Sequence, residues 1–139
     1  MNIGIIVYSQ TGNTLSVAKR IKEKLISDGH NVAIERLSES SSNTTKVDAY
    51  DGLLIGSPIH GFSLSAPMKE FLTNNAKLEG KKVNCFVTQS LGGGKRAIKQ
   101  IASIAQEKQA TMENSAVIKW SSPKREAQIK EAIRFLCVF

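Results

Sequence analysis

Ile3-Gly4-Ile5-Ile6-Val7-Tyr8-Ser9-Gln10-Thr11-Gly12-Asn13-Thr14 is the stretch on which the folding of this 139-residue chain turns. Ile3, Ile5, Ile6, Val7 and Tyr8 make an almost unbroken apolar run rich in β-branched residues, as a strand buried on both faces requires. A helical pattern starts immediately after residues 9–14, so the segment reads as strand, tight turn and helix N-terminus in series. The first N–H groups of such a helix lack intrahelical partners and its dipole points its positive end outward. A phosphate can therefore be held there without Lys or Arg. The turn is uncharged but offers the hydroxyls of Ser9, Thr11 and Thr14 and the amide of Asn13. Gly12 permits the positive φ or close backbone approach that wrapping an anion demands. An ordinary turn with a Thr or Asn cap is the simpler reading of Thr11-Gly12-Asn13-Thr14 alone. Its position directly behind the first strand favours a phosphate site.

The length suits one domain, 1–139, able to bury about two-thirds of its unfolded surface. Cys85 and Cys137 lie far apart and form no Cys-x-x-Cys or metal-ligand pattern, so they read as packed, reduced thiols, which implies the cytosol. No stretch approaches the ~20 apolar residues of a membrane span, and no charged segment precedes a long apolar core at the N-terminus. Residues 1–80 balance eight basic and eight acidic side chains, whereas residues 81–139 carry eleven Lys or Arg against four Glu, which accounts for the whole net charge of +7. Solvated helix faces are one explanation of this basic half; a surface that meets an anionic partner is the other.

Outward from the first turn, a helix is expected over residues 13–28, with Leu15, Ala18, Ile21 and Leu25 on one face and Gly29 as its stop. A short edge strand should follow at 31–36, then a surface loop over 38–48, rich in Ser, Thr and Asn. The third strand, 52–56, runs into Ser57-Pro58-Ile59-His60-Gly61-Phe62, and Ala66-Pro67 opens a helix that turns Met68, Phe71 and Leu72 inward. The fourth strand, 82–88, sets Val83, Cys85 and Val87 against Phe86 and ends in Gln89-Ser90-Leu91-Gly92-Gly93-Gly94. Three successive glycines are costly to order and point to tight backbone packing on a flat ligand or to a hinge. A helix with Ile98, Ile101, Ala102 and Ala105 inward, a fifth strand at 115–120 and a last helix from about Pro123, using Ile129, Ile133 and Leu136, complete the chain. Strand and helix alternate five times, which argues a five-stranded parallel sheet of order 2-1-3-4-5 with helices on both faces. Ligands bind such sheets at the carboxyl ends of the strands beside the switch point, where strands one, three and four converge.

Several chemistries are missing from those strand ends. Ser9, Gln10 and Ser57 stand where a response regulator needs acidic residues, and Gly94-Lys95-Arg96 fails the P-loop pattern. No Cys follows the first strand, as a low-molecular-weight phosphatase requires. No triad, carboxylate pair or His cluster can be assembled, which excludes hydrolytic and metal chemistry and leaves no catalytic acid or base.

Ser9-Gln10-Thr11-Gly12-Asn13-Thr14 behind an N-terminal apolar strand resembles the phosphate loop of flavodoxins, in which Ser or Thr, any residue, Thr, Gly, any residue, Thr encloses the FMN phosphate. The resemblance implies a three-layer α/β flavodoxin-like fold with FMN as cofactor. Residues 9–14 would hold the phosphate. Ser57, Pro58, Ile59, His60, Gly61 and Phe62 would cover one flavin face, with Phe62 stacking and a backbone peptide near Gly61 beside N5. Thr88, Gln89, Ser90, Gly92, Gly93 and Gly94 would lie along the pyrimidine edge and supply backbone N–H groups. The partners implied are redox proteins, docking through an acidic surface on this basic chain, rather than nucleic acid or a membrane.

This sequence departs from the flavodoxin pattern at the ring. Flavodoxins commonly place an aromatic in each flanking loop and acidic residues around the flavin, whereas here the fourth-strand loop has no aromatic and neither loop has a carboxylate. An FMN-binding electron carrier is the primary expectation. An NAD(P)H-dependent FMN or quinone reductase of the flavodoxin-like group, and a flavodoxin-fold binding or regulatory module that holds little or no flavin, are the alternatives.

Overall fold

In the computed structural model, which describes residues 1–38 and 45–139, the N-terminal apolar run becomes β1 (Asn2–Tyr8), paired on both sides. Parallel neighbours flank it, β2 (Asn31–Leu37) at the sheet edge and β3 (Gly52–His60) toward the centre. A two-residue strand, β4 (Ser63–Leu64), folds back antiparallel on the end of β3, and β5 (Lys82–Gln89) and β6 (Thr111–Lys119) continue the parallel array. With β4 set aside, the order β2-β1-β3-β5-β6 is the expected 2-1-3-4-5.

Four helices alternate with the strands: α1 (Asn13–Ser27), α2 (Ala66–Glu70), α3 (Gly94–Glu107) and α4 (Arg125–Leu136). Alternation along β1 distributes them over two faces. Ile3, Ile5 and Val7 pack with Val17, Ile21 and Leu25 of α1 and with Ile129 and Leu136 of α4. Ile6 and Tyr8 meet Met68 of α2 and Ala97 and Ile101 of α3 on the other side. β1 is thus buried from both directions, as its composition requires. Phe86 of β5 faces the α1/α4 layer, and Val83, Cys85 and Val87 face the opposite one. Among the described residues no helix is long and apolar enough to cross a membrane.

Four expectations are corrected. The third strand does not stop at residue 56: it runs to His60 and reverses, because the tip residues Gly61 and Phe62 both adopt positive φ, 57° and 61°. That pairing is the one a two-residue type I′ hairpin turn requires. The last sheet strand starts at Thr111 rather than 115, since a bulge opposite Asn84 adds a residue to β6 and breaks the side-chain alternation there. The helix after Ala66 widens into a π turn at Phe71–Asn75, closed by Ala76 N–H donating to the Phe71 carbonyl, and this turn keeps both Phe71 and Leu72 buried. The last helix begins at Arg125, two turn residues later than Pro123. Of the expected loop at 38–48, residues 39–44 lie outside the described part of the chain.

Asn84 shows how the bulge is held. Its buried amide donates to the carbonyls of Leu136 and Val138 at 2.9 and 3.0 Å, and its Oδ1 accepts the Asn114 N–H at 3.0 Å. One side chain therefore joins β5, the bulge and the end of α4. Asn84→Ala leaves these backbone groups without their partner and should lower the free energy of unfolding in urea by about 2–4 kcal/mol, with faster hydrogen exchange at Asn114. The two cysteines are free and buried, and burial pushes the Cys85 thiol up to about 12 and the Cys137 thiol up to about 11. Since the thiolate is the reactive form, native protein at about pH 8 should leave an aromatic disulfide reagent uncleaved, while the denatured chain should react at both cysteines.

Candidate functional site

At the carboxyl edge of the sheet the segments after β1, β3, β5 and β6 enclose a crevice of about 300 Å³. The segment after β1 is shaped by Ser9, which is buried and whose Oγ accepts the N–H groups of Gly12 at 3.1 Å and Leu15 at 3.3 Å. Gly12 takes φ 93° as the N-cap of α1, and the guanidinium of Arg36 on β2 donates to the Ser9 carbonyl. The N–H groups of Gln10, Thr11, Asn13 and Thr14 make no hydrogen bond among the described residues. Four backbone donors and the positive end of α1 are thereby left facing outward. Thr14 is buried and shares a 3.0 Å hydroxyl contact with Thr88, tying this loop to the end of β5.

The β3–β4 hairpin forms the second wall. Its tip carries Phe62, 58% exposed despite its size and held at positive φ, a conformation that costs a non-glycine residue about 1–2 kcal/mol. Two contacts from the α3 end hold it there. Gln100 Oε1 accepts from the Ser63 hydroxyl at 3.0 Å and from the Leu64 N–H at 2.9 Å. Gly93 lies so close that a Cβ there would sit 2.5 Å from the backbone of Phe62. His60 stands edge-on to Tyr8, ring centroids 6.0 Å apart.

Residues after β5 and β6 close the crevice. Gln89 Oε1 accepts the Gly94 N–H at 2.9 Å, and the Gln89 carbonyl accepts from Trp120 at 2.8 Å. Among the residues named from sequence, Ser9, Gln10, Thr11, Asn13, Thr14, Pro58, Ile59, His60, Gly61, Phe62, Thr88, Gln89, Ser90 and Gly92 line the crevice together. Gly12, Ser57, Gly93 and Gly94 do not. Ser57 is buried against Ser65, their hydroxyls 2.7 Å apart, while Gly93 packs on Phe62 and a Cβ on Gly94 would strike Gln89 and Val117. The glycine run is thus largely explained by protein against protein. Leu91 and Trp120 also line the crevice and were missed. Trp120 follows a sheet strand directly, and the rule that places ligands at carboxyl ends pointed to it.

No lining residue is acidic, Lys or Arg, and His60 is the one ionisable side chain among them. Close in sequence to Gly92 or Trp120, Lys95, Arg96, Lys119, Lys124 and Arg125 are exposed and make no ion pair among the described residues. The crevice lining itself has no acidic residue, and the segments that leave it after β5 and β6 are basic.

A family model described as a flavodoxin domain matches residues 4–128. The chain belongs to the flavodoxin family. It is similar to a flavodoxin of Clostridium saccharobutylicum, 30% identical over 97 residues that span 68% of this chain and 60% of that protein's length. Among solved structures, oxidised flavodoxin 2 from Bacillus cereus superposes with a TM-score of 0.81 at 25% identity, covering 98% of this chain and 95% of that one. Two-electron-reduced flavodoxin from Megasphaera elsdenii gives 0.73 at 26%, covering 94% and 97%. Flavodoxins bind FMN and transfer electrons. The donor set observed here fits that cofactor's phosphate: four unpartnered N–H groups, hydroxyls from Thr11 and Thr14, and an N-cap glycine with no atom within 4 Å of where a Cβ would project.

The clamp on Phe62 is open to direct measurement. Gly93→Ala adds a methyl at positive φ and against the Phe62 backbone, and should destabilise the protein by about 2–4 kcal/mol in denaturant titrations. Phe62→Gly removes the unfavourable αL side chain and should leave stability unchanged or raise it by up to about 1 kcal/mol.

Proposed function

We propose that this chain is an FMN-dependent electron carrier, located in the cytoplasm, that docks basic-rim first on redox proteins with an acidic surface. The observation that carries the reading is the outward-facing set of N–H groups at Gln10, Thr11, Asn13 and Thr14, opening into a crevice with no paired acid and base. When bound, FMN supplies the redox chemistry through its isoalloxazine ring. The residues of the chain then have positional tasks. Those four N–H groups and the Thr11 and Thr14 hydroxyls hold the phosphate, while Ser9 fixes the loop from beneath. Pro58, Ile59, His60, Gly61 and Phe62 cover one side of the crevice and exclude water from it. Thr88, Gln89, Ser90 and Gly92 form the opposite side and offer backbone groups.

The acidic docking partner is argued from charge. Lys95, Arg96, Lys119, Lys124 and Arg125 lie close in sequence to the lining residues Gly92 and Trp120, and no carboxylate occurs in residues 9–14, 57–65 or 88–94; Glu126, beside Arg125, is paired with Arg20. Exposed Leu91 and Phe62 give the same surface an apolar centre. Such a surface steers an acidic partner toward the crevice and rejects a basic one. Buried, protonated Cys85 and Cys137 suit a reducing compartment.

Titration of the protein with FMN and riboflavin, followed by flavin fluorescence, tests the phosphate site. Thr11→Ala should weaken FMN by about 1.5–3 kcal/mol, roughly ten- to a hundredfold, and leave riboflavin unchanged. Equal loss for both ligands counts against the loop as a phosphate site. Failure of the unmodified protein to bind FMN counts against the whole reading. NADPH oxidation with a quinone, measured on the FMN-loaded protein, separates a carrier, expected to show none, from a reductase. For docking, neutralising Lys95, Arg96 and Lys99 should slow electron exchange with an acidic redox protein at low salt more than neutralising Lys19, Lys22 and Lys24. The difference should shrink as ionic strength rises.

A further inference from the structure

Trp120 is the chain's one tryptophan, and it lines the crevice from outside the three loops that the flavodoxin resemblance assigns to FMN. We propose that Trp120 is a ring-contacting residue of the flavin site, and that Arg125, stacked on its face, is the positioning residue that holds it there. The inference deepens the FMN reading and rests on it.

The placement follows from the topology. Trp120 succeeds β6, three strands from β1 in the sheet, and strand spacings of about 4.8 Å put it roughly 14 Å from the phosphate loop. A group there meets the flat ring of a flavin rather than its phosphate. The residue is also held in place by its neighbours. Its backbone N–H donates to the Gln89 carbonyl at 2.8 Å, continuing the parallel ladder past the end of β6. The Arg125 guanidinium lies 4.5 Å from the ring centroid, and its Nη1 donates to the Trp120 carbonyl at 2.8 Å. Ser121 donates to the Ser90 carbonyl at 3.1 Å, so the segments after β5 and β6 are tied to each other.

Chemistry gives this arrangement a use. The β5 segment itself contains no aromatic residue, and Trp120 supplies one from the next strand. Planar conjugated rings stack on indole, and stacking of this kind is insensitive to the polar groups at the ligand's far end. Arg125 makes no ion pair among the described residues, although Glu126 beside it is paired with Arg20 at 2.8 Å. Its charge stands behind the indole, sharing the Glu126 carboxylate with Arg20, against a crevice whose lining contains no Lys or Arg. A positive charge in that position favours the more negative, reduced state of a bound ring.

The test uses three ligands that share the ring: lumiflavin, riboflavin and FMN. Each is titrated into the unmodified protein, Trp120→Leu, Trp120→Phe and Thr11→Ala, with flavin fluorescence as the signal and circular dichroism confirming the fold. Trp120→Leu should weaken all three by the same factor, about tenfold, and Trp120→Phe should recover most of the loss. Thr11→Ala should weaken FMN alone. For Arg125 the readout is the midpoint potential of bound FMN, expected to fall in Arg125→Met and to stay closer to that of the unmodified protein in Arg125→Lys. Lumiflavin affinity unchanged in Trp120→Leu would overturn the inference and leave the FMN reading standing, since Trp120 would then be a cover for the core beneath it. A potential indifferent to Arg125→Met would overturn the role given to Arg125. Should the unmodified protein bind none of the three flavins, the FMN reading fails first and takes the inference with it.

Discussion

The buried hydroxyl of Ser9 decides the character of the whole carboxyl edge. By accepting the N–H groups of Gly12 and Leu15, it satisfies the donors that turn inward and bends the chain from β1 into α1 within a few residues. What remains unsatisfied then points the other way, into the crevice. A helix start without that internal acceptor would need a side-chain cap on its outer face, and the cap would occupy the donors that make the site. Gly12, with no side-chain cap bond, and the uncharged sequence of the turn both follow from this division of labour. The Thr14–Thr88 contact extends the order to β5, so the loop after β1 and the end of β5 are built on one continuous sheet edge.

How much of this could be read from residues alone depended on how local the signal was. The β1 run, the helices' inward faces and the sheet order were legible, because burial on both faces and a 3.6-residue period leave dense imprints in sequence. The unpartnered donors of the turn after β1 were legible because they are sequential. The hairpin tip was not: Phe62 is an unexpected residue at positive φ, and it is kept there by Gly93 and Gln100, which are distant in sequence. The start of β6 was hidden by the bulge at Asn84, since one inserted residue reverses which side chains face the core. Trp120 was overlooked because the glycine run suggested that the ring's neighbours lay in the β5 segment, whereas two of those glycines make room for protein.

Binding and docking are separated by charge. The crevice lining holds no acid, Lys or Arg, and the exposed cations lie beyond it, where dissolved salt screens their pull on an approaching molecule. Affinity for a cofactor and attraction for a partner can therefore vary independently, one through backbone donors and aromatic surface, the other through exposed lysines and arginines. Of the basic second half of the sequence, Lys95, Arg96, Lys124 and Arg125 follow β5 and β6, the strands whose ends form the side of the crevice away from the loop after β1.

Cys85 lies on the same strand as Thr88, with its thiol turned into the core and kept protonated by burial; Cys137 is closed off beside α4. Sulfur so placed cannot readily trade hydrogen for a disulfide bond. These two thiols consequently add no second reservoir of reducing equivalents to the crevice.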